Sequence, residues 1–117
     1  MTATNTQIGP LTTTNATTLN VRIMPMSDIS AIVDCKVIAR ADDGISASWR
    51  IRRGAKRTSG GNVVLVGAAQ SDVHKDVGAA LWDCDLVADS DGISIDLSGA
   101  AATTISWYIE SETSQSV

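Results

Sequence analysis

The stretch Ile45–Arg53, ISASWRIRR, alternates strictly: Ile45, Ala47, Trp49 and Ile51 fall on one side, Ser46, Ser48, Arg50 and Arg52 on the other. Successive side chains of a strand point to opposite faces, so this is a strand with one apolar and one wet, cationic face. A helix would scatter the same residues around its circumference. The rest of the chain repeats the design. Leu19, Val21 and Ile23 alternate with polar partners, as do Trp82, Cys84 and Leu86, then Ile93, Ile95 and Leu97, then Ile105, Trp107 and Ile109. Ile29–Arg40 has an inward set of Ile29, Ala31, Val33, Cys35, Val37 and Ala39, with Ile32 and Ile38 out of phase on a face expected to be partly covered.

Turn chemistry separates these runs. Asp42-Asp43-Gly44 is a hairpin signal, Gly54 breaks the alternation as a bulge or strand end, and Thr58–Gly61 and Asp89–Gly92 are turns. Asn62–Val66 is a short, mostly apolar strand suited to a covered position, and Ala68–Gly78 reads as a loop or short helix. About seven short strands without a long helix indicate an all-β chain: a single antiparallel β-sandwich, jelly-roll or Ig-like. Residues 1–17, rich in Thr and Asn, read as an extended N-terminal arm, with Ile8, Pro10 and Leu11 as its anchors. That arm is either a loose terminus or a segment that orders on a neighbouring subunit. Residues 18–110 form the sandwich and 111–117 a polar tail. Trp49, Trp82 and Trp107 share the inward phase and form the centre of the core, each indole N–H needing a partner.

Chemistry is sparse. The 117 residues carry a net charge of −4, which gives no general drive towards nucleic acid or anionic membranes, and neither is an expected partner. No apolar run is long enough to cross a bilayer as a helix, and the N-terminus lacks a secretory pattern, so synthesis in a cytoplasm is expected. Cys35 and Cys84 read as small buried hydrophobes rather than a disulfide. His74 is the one histidine and reads as a solvated loop residue. Asp89-Ser90-Asp91-Gly92 echoes the start of a calcium loop but lacks the downstream acid, so a turn explains it better. Arg50, Arg52, Arg53, Lys56 and Arg57 form a basic run, expected to pair across the sheet with acidic strands around Asp83 and Asp96 or to meet an acidic neighbour in an assembly. No phosphate loop, dinucleotide turn, nucleophile elbow or zinc spacing appears, so no catalytic residue, metal or cofactor is expected.

The segments GGNVVLVGAA, AALWDCDLVADSDGISIDLSGAAATTISWYIE and VIARADDGISASWRIRR resemble a small β-domain of tailed-bacteriophage virion structural proteins, found in tail fibres and small head-associated proteins. The likeness spans Thr18–Glu110 and departs at Ser106, where the family has a basic residue. It implies a virion structural role as a homotrimer. One compact domain with an arm fits a capsid decoration (cement) protein bound to the major capsid protein on the outer head surface. The alternative is a tail-fibre or receptor-binding module for a host surface glycan. Ile8, Pro10 and Leu11 of the arm, with Arg50, Arg52 and Arg53, are the expected partner contacts, and removal of residues 2–17 is expected to leave a folded domain that no longer binds heads.

Overall fold

The computed structural model describes residues 2–116. Eight strands form in chain order: β1 (Thr2–Thr13), β2 (Leu19–Pro25), β3 (Ser30–Ala41), β4 (Ser46–Arg57), β5 (Val63–Lys75), β6 (Asp83–Ala88), β7 (Gly92–Ser98) and β8 (Ile105–Gln115). One turn of 3₁₀ helix, Val77–Ala79, leads from β5 towards β6. All strand pairs are antiparallel, in a five-stranded sheet of order β1-β8-β3-β4-β5 and a three-stranded sheet of order β2-β7-β6. The chain crosses between sheets after β1, β2, β5 and β7. The expected β-sandwich therefore forms, with eight strands in place of about seven.

The inward residues of both sheets meet in one core. Ala31, Val33, Cys35, Val37 and Ala39 of β3 and Ala47, Trp49 and Ile51 of β4 are buried, as the alternation requires. Ile93, Ile95 and Leu97 of β7 face them from the smaller sheet. Trp49 stacks on Trp107 with ring centroids 5.7 Å apart, and Trp82 tilts against Trp107 at 6.5 Å. Trp107 Nε1–H donates to Thr13 Oγ1 at 2.8 Å, while the buried Trp49 Nε1–H has no partner among the described residues. Cys35 and Cys84 are free and buried, and burial pushes the Cys35 thiol up to about 12 and Cys84 upward as well. The hairpin turns at Gly44, whose φ of 91° suits a residue without a Cβ, and the ladder slips at Arg52/Gly54 as a bulge.

Three expectations give way. Residues 2–13 are not an arm but an edge strand of their own domain, paired with β8 from Thr2↔Gln115 to Thr13↔Ile105. Ile8 and Leu11 pack against the core of the same chain, and Pro10 sits exposed in the bulge between them. Residues Ser111–Gln115 are not a tail, because β8 lies between β1 and β3 and supplies backbone partners to both. Small hydroxyl side chains fit the space between the sheets there, and Ser111 and Thr113 are buried. The stretch from Ala68 to Lys75 is strand, not loop: it continues β5 because the backbone of β4 from Ala47 to Arg52 needs a partner on that side. The start of β5 is covered on one face only: Val63 is buried and Leu65 packs against the core, while Val64 and Val66 lie exposed on an edge strand.

Candidate functional site: the outer face of the five-stranded sheet

Alternation that buries one face of β3, β4 and β8 sends Asp34, Lys36, Ile38, Arg50, Arg52, Tyr108 and Glu110 to the other face. Strand register sets them in rows. Gln7, Glu110, Lys36, Arg50 and Asp72 form one row across five strands. Tyr108, Ile38, Ser48 and His74 form the next. Ile38 and Tyr108 are direct cross-strand partners and remain 56% and 48% exposed. Among the described residues nothing supplies the expected cover over Ile32 and Ile38: both project from the sheet.

Charges rim this apolar centre. Arg50 clasps Asp34 on the diagonal with both Nε and Nη2, at 3.1 and 2.8 Å. That guanidinium holds the Asp34 carboxyl below its ordinary range, against the opposing effect of partial burial. Lys36 Nζ stands 3.9 Å from Glu110 Oε1, and Gln7 Nε2–H donates to Glu110 Oε2 at 3.5 Å. Beside Tyr108 lies a shallow depression of about 580 Å³ lined by Gln7, Gly9, Lys36, Ile38 and Glu110 among others. Gly9 lines that depression where strand β1 comes close to β8: its φ is 131°, and a Cβ there would come within 2.7 Å of the Trp107 carbonyl oxygen.

Of the expected contact residues, Arg50 and Arg52 do lie on this face, Arg50 already paired with Asp34. The Arg52 side chain makes no hydrogen bond or salt bridge among the described residues. Arg53 sits in the bulge and donates to the Gly67 carbonyl of β5 at 3.0 Å, while Arg57 donates to the carbonyls of Gly61 and Met26, so Arg53 holds β5 at the bulge and Arg57 pins two loops. Ile8 and Leu11 are spent on the core. The acids around Asp83 and Asp96 do not pair with the basic strand, because they belong to the other sheet. Asp83, Asp85, Asp89, Asp91 and Asp96 stand on or beside the three-stranded sheet with Arg22 as its one base, so the net −4 of the chain resides there.

The turn at Asp89 is held as a turn. Asp89 accepts from Arg22 Nη1 and Nη2 at 3.1 and 2.6 Å, and from the backbone N–H groups of Asp91 and Gly92. The Arg22 bond, with the two N–H bonds behind it, brings its carboxyl down to about 2. Its oxygens are thus occupied, and among the described residues no group of three or more His, Cys, Asp or Glu side chains could hold a metal. His74 lies on β5 opposite Ser48, not in a loop. Among the described residues no helix is long and apolar enough to cross a membrane. The residues that sequence reasoning passed over are Ile38 and Tyr108. The out-of-phase isoleucines of β3 were their visible signal, but only the β3–β8 pairing brings the tyrosine alongside. No protein-family model, curated protein or solved structure matches this chain.

Proposed function

We propose that this chain is a bacteriophage virion structural protein without enzymatic activity. In this reading it is a capsid decoration (cement) protein that sits on the outer head surface and binds the major capsid protein across shell-subunit contacts. The observation that carries the reading is the Ile38–Tyr108 pair, exposed at the centre of a broad sheet face and rimmed by Asp34–Arg50, Lys36–Glu110 and Gln7. An apolar and aromatic centre inside a polar rim is the anatomy of a protein-docking surface. The phage-like segments supply the β3–β4 hairpin, the first half of β5 and β8 of this sheet, with β6 and β7 of the sheet behind it. Many copies docking on a shell would sum weak contacts into rigidity. The test is the copy number in purified particles, together with Ile38→Asp/Tyr108→Ala. A number comparable to the shell subunit, and loss of head binding by the folded double variant, are expected. Absence from the particle would sink the reading.

A second reading is favoured by the depression beside Tyr108. An exposed aromatic ring with Gln7, Glu110 and Lys36 around it suits a sugar, stacked and hydrogen-bonded, as in a receptor-binding module for a host surface glycan. A handful of copies per particle, and binding to host polysaccharide lost in Tyr108→Ala, would select this reading.

A further inference from the structure

A sandwich of two open sheets has four edge strands, and three of these are blunted. β1 carries Pro10 and a bulge between Ile8 and Leu11, β2 ends in Pro25 after a slip between Arg22 and Met24, and β6 is only six residues long. Prolines, bulges and shortness are the usual protections against edge-to-edge pairing. β5 has none of them from Gln70 to Lys75, where its register with β4 runs unbroken. From Gly67 onward every residue of β5 is exposed, so both faces and one edge of this ribbon are open. Val73 is 48% exposed on the inward-facing side, and Val77, just beyond, is 95% exposed.

The hydrogen-bond phase of that edge can be read. The Asp76 N–H donates to the Ser46 carbonyl at 3.0 Å, which fixes Ser46 and Asp76 as a hydrogen-bonded pair. Antiparallel pairs alternate, so Gln70, Asp72 and His74 also turn their backbone groups to β4. Ser71, Val73 and Lys75 then direct N–H and C=O groups away from the sheet, into solvent.

We propose that a second copy of this chain pairs with this edge, β5 against β5, about a two-fold axis at Val73. Such an interface is isologous: whatever one strand offers, the other must complement. With Val73 opposite Val73 and Ser71 opposite Lys75, the outward groups exchange about six backbone hydrogen bonds. Asp72 of each copy then faces His74 of the other in a non-hydrogen-bonded pair, where side chains come closest, so a carboxylate meets an imidazole donor twice. Neighbouring registers lose this. Sliding the second copy two residues one way sets Asp72 against Asp72, and two residues the other way sets Asp72 against Asp76. Both place like charges opposite one another. The pairing joins two five-stranded sheets into one of ten strands. It is a closed dimer rather than the trimer that the phage resemblance implies, and it stands independently of head or glycan binding.

The mass of the full chain in solution, by sedimentation equilibrium at about 0.1 mM, tests it. Twice the 12.2 kDa chain mass is expected. A monomer or a trimer overturns the proposal. Val73→Pro removes an N–H that β4 does not use, and is expected to weaken the dimer about tenfold or more. Asp72→Lys and His74→Asp singly weaken it, and Asp72→Lys/His74→Asp together restore it. Failure of that rescue overturns the register and with it the two-fold at Val73. Should Val73→Pro not fold, Val73→Cys decides. Its two Cα atoms would lie about 5.5 Å apart, within disulfide reach, so mild oxidation yields a covalent dimer, and a chain that stays at monomer mass overturns the proposal.

Discussion

The two stacked indoles of the core differ in one atom's fate. Trp107 Nε1–H reaches Thr13 Oγ1 at 2.8 Å, whereas Trp49 Nε1–H, also buried, reaches no acceptor among the described residues. A buried donor without a partner costs about 1–3 kcal/mol, while a satisfied neutral bond contributes only about 1 kcal/mol net. Thr13→Val keeps the shape of the side chain and strands the Trp107 donor as well. It is expected to lower the unfolding free energy by about 1–3 kcal/mol, read from urea denaturation with an unchanged slope. No loss would mean that Thr13 does not reach the core. Lys75 lies 5.7 Å from the Trp49 ring centroid, a cation over the aromatic face that leaves the N–H unanswered.

At the scale of elements, β1 decides how the N-terminus is understood. As an arm awaiting a neighbour, residues 2–17 would be removable without harm to the fold. As β1 they carry Thr13, pack Ile8 and Leu11 against the core, and cover the whole length of β8. Their deletion is expected to cost several kcal/mol out of the about 5–15 kcal/mol that holds a typical domain together, measured as a fall in the urea midpoint. An unchanged midpoint would restore the arm. The contrast shows what the sequence could disclose. The β3–β4 hairpin is legible because its inward face is apolar and its turn is Asp-Asp-Gly. β1, the second half of β5 and the end of β8 are not legible. Their side chains are mostly Thr, Ser, Gln and Ala, and they are strands because neighbouring backbones need partners, a demand that no periodicity records. The outer face of the five-stranded sheet was half legible for the same reason. Arg50, Arg52 and the odd phase of Ile38 stand in the sequence, but the meeting of Ile38 with Tyr108 is a property of the register between β3 and β8.

At the scale of the whole molecule, the pairings tie distant parts of the chain. β1, the first strand, pairs only with β8, the last, and β8 also separates β1 from β3. The five-stranded sheet therefore cannot close until the C-terminal strand is in place, and loop entropy is spent before its contacts are gained. Both sheets share one core, with Trp49 and Trp107 on the larger and Trp82 at the entry to β6 on the smaller, all three in ring contact as a chain through Trp107. Neither sheet can lose its packing without disturbing an indole. Unfolding is thus expected as one transition, with tryptophan fluorescence and far-UV dichroism coinciding along the urea axis. Refolding after dilution from urea is expected to take milliseconds to seconds, the range of sandwiches dominated by non-local pairing. A microsecond phase carrying the full fluorescence change would mean that the tryptophan cluster assembles before β1 and β8 meet. Two separated transitions would mean that the sheets hold themselves together independently, and the single shared core would then be the wrong description of this fold.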